Sequence, residues 1–351
     1  MKKINSINFH YITDSLFSGY GMATRNMLDA FKEIRTLNVN ECKTSVKSRI
    51  FTTDFFLRPP GWFSERSKRR IGYFYWECDK LPQPWAQSLS TADEIWAPCE
   101  LVRKVCLESG FRGPIKIVPT PHRPWNINFS GRINLPEISD DTFKFYSVFQ
   151  WHTRKGWKEL LTGYFTEFKK EDDVVLILKV NSIHGPAGNK EIMENIDSLK
   201  RSLGLGFYPK LFLIDSFIPY EQIQALHEYA DCYVSPHHGE GWGMPIHDAI
   251  FAQRHLIVTK YGGVTEFLDE NSANIIEHKM GPVTNMEWNP AYNPGQNWAY
   301  PSVDHLKFLM RDVYSNHNEP RMRSKPAMLE ELALRTSISS VSSQIASIMN
   351  Y

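Results

Sequence analysis

Two acidic residues accompany a glycine-rich stretch in the second half of the chain. Residues 235–251 read SPHHGEGWGMPIHDAIF, with Glu240 among the glycines and Asp248 after seven intervening residues. Glycines let a backbone approach a ligand closely, and Pro245 is tolerated in the first turn of a helix. We therefore predict a helix that begins at Met244, whose unpaired N–H groups would attract a phosphate.

The composition indicates an ordinary globular protein of two domains. The chain has 351 residues, 42% hydrophobic and 23% charged, and one domain takes about 150 residues. Five cysteines form no metal-ligand spacing, and an odd number favours reduced thiols in a cytosol. We find no signal peptide and no apolar run long enough to span a membrane. We expect a cytoplasmic protein with no metal site.

The charges divide unevenly along the chain. Residues 1–125 hold 19 Lys and Arg against 12 Asp and Glu, a net +7, and the remainder holds 21 against 27, a net −6. The densest basic run, Arg66–Arg70, follows Trp62 in a turn-rich region. It could be a solvated loop, or a surface that receives an anionic membrane at the inner face or a nucleic acid.

Apolar runs alternate with helical patterns in both halves of the chain. In the first half we predict strands at 4–12, 71–77, 94–99 and 115–120 and helices at 22–34 and 100–110, with Gly19 and Gly21 in a loop. In the second half we predict strands at 143–151, 174–180, 210–218, 232–237 and 255–259 and helices at 155–168, 189–204, 220–230 and 245–253. Such alternation is typical of parallel sheets with helices on both faces.

This alternation divides the chain into two doubly wound domains. We predict an N-terminal Rossmann-like domain on the acceptor side over 1–125, a linker over 126–142 and a Rossmann-like donor domain over 143–323. A helical segment over 324–351 would pack back across both. Ligands of such sheets bind at the carboxyl ends of the strands, and we expect the two domains to face each other across a cleft.

The ordered set of motifs resembles the retaining glycosyltransferases of family 4, which have the GT-B fold. The motifs are SGYGMATRNMLDAF, GYFYWE, STADEIWAPCELVRKV, VPTP, FQWHTRKGWKELLTGYF, EGWGMPIHD, YGGVTEFLDE and NWAYPSVDHLKFLMRDVY. The resemblance covers nearly the whole chain. The chain departs from the family at Asp248, where glutamate is usual, at Gln253, where glycine is frequent, and at Gln150, where an arginine commonly binds the donor diphosphate.

The resemblance implies a role for each candidate residue. Lys155, with Arg154, would neutralise the donor diphosphate, although an RKG turn could also only cap a helix. Glu240 would bind hydroxyls of the donor sugar and face the reacting carbon. Asp248 would bind the ribose, or be an acid placed by the helix dipole. Glu77 would orient or deprotonate an acceptor hydroxyl, or cap a neighbouring helix.

Further donor-binding positions follow from the same resemblance. Backbone groups would contribute at Gly19, Gly21, Ile218, Gly241, Trp242, Gly243, Met244, Gly262 and Gly263. Gly19 and Gly21 could equally form a tight turn. His238 would touch the donor sugar or hold the loop by hydrogen bonds.

The expected function is metal-independent, retaining transfer of a sugar from a nucleotide-diphosphate sugar to a hydroxyl group. The resemblance implies no cofactor beyond this co-substrate, for which a UDP-linked sugar is the first expectation. The acceptor would be a surface glycan, a lipid-linked glycan or a modified nucleic acid such as DNA with hydroxymethylated bases. The alternative is a nucleotide-sugar-binding protein or a phosphorylase with the same fold.

Overall fold

The computed structural model describes residues 6–13, 18–43, 53–61, 67–123, 133, 135, 137–182, 184–268, 272–317 and 326–349. The chain divides into two compact units. The first comprises Met1–Pro124, Glu240–Trp242 and Glu330–Tyr351, and the second comprises Trp125–Gly239 and Gly243–Leu329. The predicted linker at 126–142 lies largely outside the described residues, as do Trp62 and Arg66.

The strands are numbered β1–β14 in chain order. They span Ser6–Tyr11, Asn38–Lys43, Thr53–Leu57, Arg69–Tyr73, Glu94–Ala97, Ile115–Ile117, Phe143–Trp151, Val174–Ser182, Lys210–Ile214, Cys232–Ser235, His255–Thr259, Asn274–Ile276, His278–Pro282 and Asn297–Pro301. The helices α1–α10 span Gly19–Lys32, Gln83–Ser88, Glu100–Glu108, Trp157–Glu167, Asn189–Leu203, Tyr220–Tyr229, Met244–Phe251, Val303–Asn316, Pro326–Thr336 and Ile338–Met349.

The first unit is built on a six-stranded parallel sheet. Its strand order is β2-β1-β3-β4-β5-β6. Phe9 and Phe55 are paired in register on β1 and β3, and both belong to a core cluster with Phe31 of α1 and Trp96 of β5. Ile345 of α10 is fully buried in the same cluster. The last helix of the chain is therefore part of the core of the first unit.

Several predicted elements of the first unit have different bounds. Helix α1 begins at Gly19 because Ser18 caps it, accepting a hydrogen bond from the Gly21 N–H at 3.0 Å. The prediction of a loop at Gly19 and Gly21 was wrong, since both lie in the first helical turn. Strand β4 ends at Tyr73, so Glu77 lies beyond the strand and not at its end. Strands β2 and β3 were not predicted.

The second unit is built on another six-stranded parallel sheet. Its strand order is β12-β11-β10-β7-β8-β9, and a separate antiparallel pair joins β13 and β14. Leu176, Leu178 and Val180 alternate along β8 and face a core that also holds Leu160 of α4 and Ile196 of α5. The doubly wound α/β architecture predicted from the sequence is confirmed.

Two predictions about the class of protein can be compared with the structure. All five cysteines are buried free thiols, as expected from their odd number. Within the described ranges, no helix has the length and apolar character that crossing a bilayer requires.

The burial of α10 predicts a large effect of one core truncation. Ile345→Ala should lower the free energy of unfolding by about 2–5 kcal/mol, because it removes buried apolar groups and leaves a cavity. Leu334→Ala is the matched control, since Leu334 is 66% exposed on the preceding helix, and should change stability by less than about 0.5 kcal/mol. Urea denaturation followed by circular dichroism measures both. Equal, small effects would contradict the placement of α10 in the core.

Candidate functional site

Two turns lie side by side at the carboxyl edge of the second sheet. Strands β7 and β10 are parallel neighbours, so the segments that follow them leave the sheet at one edge. After β7 comes a short 3₁₀ turn, Thr153–Lys155, followed by Gly156. After β10 comes the glycine-rich loop that leads into α7. We refer to Thr153–Gly156 as the cation turn and to residues 236–243 as the glycine loop.

The cation turn and the glycine loop are held together by backbone contact. Gly156 has a left-handed conformation with φ +66°, and a Cβ there would lie 2.7 Å from the carbonyl carbon of Pro236 and closer still to its oxygen. The His238 N–H donates to the Arg154 carbonyl at 2.8 Å. Arg154 Nη1 donates to the Gly239 carbonyl at 2.6 Å. The cation turn and the glycine loop are therefore in direct contact, and the hydrogen bond from the Arg154 guanidinium stabilises that contact.

His238 fixes the glycine loop to strand β14. Its Nδ1 lies 2.7 Å from the Ala299 carbonyl and must carry the proton there, because a carbonyl oxygen only accepts. The Ala299 N–H donates back to the His238 carbonyl at 2.9 Å, and the imidazole stacks on Trp298 with centroids 4.8 Å apart. These hydrogen bonds hold the glycine loop against β14, in keeping with the loop-holding alternative. Its contact with a donor sugar stays a prediction.

Glu159, which the sequence did not single out, approaches the other nitrogen of His238. Its Oε1 lies 3.4 Å from His238 Nε2. Burial acts to raise the pKa of Glu159, but the hydrogen bond and charge of His238 outweigh it, and the pKa is lowered. A half-buried carboxylate on α4 thus contacts the residue that holds the loop to β14.

His152 separates the end of β7 from the cation turn. Burial, and then the positive charges of Arg154 and Lys155, lower its pKa well below the ordinary value. The imidazole is therefore neutral at pH 7. Its ring lies 5.8 Å from that of Trp288 in the loop joining β13 to β14, and Thr153 Oγ1 donates to the Asn285 carbonyl of that loop at 3.1 Å.

Helix α7 begins at Met244, as predicted from the glycine and proline spacing. Gly243 precedes it in a left-handed conformation with φ +86°, and no side chain caps the helix. The half-buried Lys155 lies in the neighbouring cation turn. An uncapped helix start and a lysine at one sheet edge are a combination suited to binding a phosphate.

Asp248 is buried on α7 and has a partner on α6. Tyr220 Oη donates to Asp248 Oδ1 at 3.2 Å, and Asp248 is only 4% exposed. Tyr220 was missed in the sequence because its only local signal is its place after Pro219 at the start of a helix. The hydrogen bond orients the carboxylate at the sheet edge where a nucleotide is expected.

The centre of the glycine loop belongs to the first unit. A Cβ on Gly241 would lie 2.8 Å from Tyr75 Cβ, and Cys99 Sγ donates to the Gly241 carbonyl at 4.0 Å. Glu240 and Trp242 on either side are buried. The predicted convergence of Glu240 with Lys155 and Asp248 in one pocket stays a prediction.

The first unit gathers polar groups where β3 and β4 end. Tyr20 on the first turn of α1 has a buried hydroxyl with no hydrogen-bond partner among the described residues. Burial raises its pKa well above the ordinary value, the nearby Tyr75 and Glu77 add to the shift, and Arg58 opposes it. Glu77 and Arg58 thus each lie near Tyr20. Gly19 is exposed on the same helical turn.

The remaining candidates lie after β11 and β9. Gly262 has φ +91° and precedes a 3₁₀ turn over Gly263–Glu266, so the position just before this turn favours glycine. Ile218 is half-buried past β9. Among the residues that the structure describes, no group of three or more His, Cys, Asp or Glu side chains could hold a metal ion.

Comparisons with solved structures identify the fold. The chain is similar to HepE from Anabaena in complex with UDP and glucose, with 12% identity, a TM-score of 0.66 and coverage of 98% of this chain and 99% of that one. It is similar to sucrose-phosphate synthase from Thermosynechococcus elongatus (11% identity, TM-score 0.67, coverage 99% and 98%). It is also similar to a glycosyltransferase from Rickettsia africae, with 12% identity, a TM-score of 0.66 and coverage of 98% of this chain and 97% of that one. No family model and no curated protein matches the sequence.

These neighbours share the GT-B fold of glycosyltransferases, and the fold predicted from the motifs is confirmed. The chain spans nearly the full length of each, so both parallel-sheet units have their counterparts.

The approach of Gly156 to Pro236 predicts a sharp difference between two glycine substitutions. Gly156→Ala should cost about 3 kcal/mol or more, because it adds a clash with Pro236 to the strain of a left-handed alanine. Gly204→Ala is the matched control, since Gly204 has φ +59° with nothing within 4 Å, and should cost about 1–2 kcal/mol. Thermal unfolding of both variants measures the difference. Equal costs would show that the two turns are not in contact.

Proposed function

We propose that the protein is a retaining, metal-independent glycosyltransferase that uses a nucleotide-diphosphate sugar. One observation carries the proposal: the cation turn with Lys155 and the glycine loop that leads into α7 are held together by hydrogen bonds at the carboxyl edge of the sheet of the second unit. The HepE structure, which shares the fold, was solved with UDP and glucose. A UDP-linked sugar is therefore the first donor to test.

The chemistry requires a stabilised leaving group. When the bond from the anomeric carbon to the phosphate oxygen breaks, its electron pair leaves with the nucleoside diphosphate, and positive charge develops on the sugar ring. We assign stabilisation of the phosphate to the Lys155 ammonium and to the start of α7 at Gly243 and Met244. Arg154 contributes its charge from its place against Gly239. Lysine suits this role as a compact point charge.

Carboxylates would bind the sugar parts of the donor. We assign Glu240 to the hydroxyls of the transferred sugar and Asp248 to the ribose, where a carboxylate can accept from two adjacent hydroxyls. Asp248 is one methylene shorter than glutamate, and its hydrogen bond from Tyr220 fixes its orientation. Gly241, Trp242, Gly262, Gly263 and Ile218 would add backbone contacts.

The acceptor would be bound by the first unit, where Glu77 and Arg58 each lie near Tyr20. The net charge of +7 over residues 1–125 favours an anionic acceptor. A lipid-linked or surface glycan, with peripheral contact to an anionic membrane, and a modified nucleic acid both fit this charge.

A transfer assay tests the catalytic assignments. Purified protein should hydrolyse or transfer sugar from UDP-glucose or another nucleotide sugar, and Lys155→Ala and Glu240→Gln should each lower kcat by about 100-fold or more because each removes transition-state stabilisation. Lys158→Ala is the matched control, because Lys158 is exposed on α4 and should keep activity. Full activity in both site variants would refute the assignments. A product with inverted anomeric configuration would refute retention alone.

The alternative function is a nucleotide-sugar-binding protein or a phosphorylase. Gln150 favours it, since the family commonly has an arginine there for the diphosphate. Tight donor binding in calorimetry without turnover on glycan, lipid-linked or nucleic-acid acceptors would support binding without transfer. Consumption of a glycoside only with inorganic phosphate would support a phosphorylase.

A further inference from the structure

A single lysine interrupts the apolar run of strand β8 in the second unit. Strand β8 reads VVLILKVNS, and Lys179 within it is 3% exposed. Leu178 and Val180 on either side face the core cluster. Because side chains alternate along a strand, Lys179 and Asn181 project from the opposite face of the sheet. The ammonium therefore lies outside the apolar core but within the protein.

The Lys179 side chain runs toward the carboxyl edge of the sheet. Its Nζ donates to Asn181 Oδ1 at 2.7 Å and to the Val180 carbonyl at 3.3 Å, both further along the strand. On β7, Val148 is paired with Lys179 and Gln150 with Asn181. Gln150 is exposed and Asn181 half-exposed, so this edge is open to solvent.

The residue pairs at the end of β7 and β8 lie just before the cation turn. Trp151 is paired with Ser182 one residue after Gln150, and β7 ends there. The turn that carries Lys155 follows within four residues. The sheet register thus places Lys179 on β8 beside β7, the strand that leads into the cation turn, so both lysines belong to neighbouring strands that end at one edge of the sheet.

The burial of Lys179 is costly without a ligand. Burial lowers its pKa to about 8, although Asp215 beyond β9 acts to raise it. The ammonium has three N–H groups, and within the described part of the chain it donates to two acceptors, both uncharged. A buried ammonium that lacks a hydrogen-bonded anion is destabilising relative to an apolar residue of similar size. A bound anion would reverse that cost.

We propose that Lys179 is a second cationic ligand for the diphosphate of the nucleotide donor, acting beside Lys155. The inference rests on the proposed function, since it assigns a further residue to the same donor site. A nucleoside diphosphate carries two or more negative charges, and one lysine with a helix start leaves part of that charge unbalanced. Lys179 donates to Asn181, which is paired with Gln150 on β7. Its ammonium would supply the positive charge that the uncharged Gln150 side chain does not.

Nucleotide binding tests the proposal. Isothermal titration of the full chain with UDP, ADP and GDP first identifies the nucleotide that the unmodified protein binds. Lys179→Met should weaken binding of that diphosphate at least about tenfold, because it removes a buried charge contact. It should leave the affinity for the matching nucleoside, measured by competition, unchanged. Lys170→Met is the matched control, since Lys170 is exposed at the opposite edge of the sheet before β8.

The pH dependence gives a second readout that a structural role would not produce. Among the described residues, Asp215 after β9 is the charged group that acts on the pKa of the amine, and Tyr233 of β10 donates its hydroxyl to the carbonyl of Val148, which is paired with Lys179. Since Lys179 loses its proton near pH 8, diphosphate affinity of the unmodified protein should fall about fourfold more between pH 7 and 8.5 than that of Lys179→Met. The unfolding temperature of Lys179→Met at pH 7 should not fall, which excludes loss of folding as the cause.

Each failure has a distinct meaning. If the unmodified protein binds none of the three diphosphates, the proposed function fails. If it binds one and Lys179→Met binds it equally well with the same pH profile, the role of Lys179 alone is refuted. If Lys179→Met loses nucleoside and diphosphate affinity equally, Lys179 contacts the nucleoside, and the diphosphate assignment is wrong.

Discussion

The close approach of Gly156 to Pro236 is the constraint on which the candidate site depends. Only a residue without a Cβ, in a left-handed conformation, lets the turn after β7 pass against the loop after β10. That approach allows the hydrogen bonds between His238 and Arg154 and between Arg154 and Gly239. The glycine loop therefore has its shape before any ligand arrives, and binding does not have to order it.

The titratable groups at this edge differ in the charge that they carry at pH 7. His152 is neutral at pH 7, and so adds no positive charge beside Lys155. Glu159 is ionised but engaged with His238 beneath the loop. Lys179 adds a buried amine one strand away. The edge thus combines a backbone held by hydrogen bonds with positively charged side chains on neighbouring strands.

The sequence predicted the elements whose signal is local and failed where long-range packing decides. Strands β7, β8, β10 and β11 are continuous apolar runs typical of buried parallel strands, and they were found. Strand β2 reads NVNECK, is largely exposed and has no such run. Gly19 and Gly21 suggested a loop, but both lie in the first turn of α1, because the helix begins directly after its cap at Ser18.

The candidate site likewise contains features with a local sequence signal and features that depend on long-range packing. The start of α7 at Met244 followed from the spacing of glycine and proline, which is local chemistry. Tyr220 and Lys179 could not be found in this way, because each acts through a contact set by the order of strands and helices. A lysine within the apolar run VVLILKVNS is visible in the sequence. The face of the sheet to which its side chain points depends on how the sheet is covered, which the sequence of the strand does not show. The grouping of Glu240–Trp242 with the first unit also arises from contacts distant in sequence.

The most direct test of this account is a crystal structure of the full chain with the nucleoside diphosphate that it binds. The account predicts a phosphate oxygen within hydrogen-bonding distance of Lys155 Nζ and of the backbone N–H of Met244, with the contact between Gly156 and Pro236 unchanged. A nucleotide bound with its phosphates away from the cation turn, or a rearrangement of the two turns on binding, would contradict it.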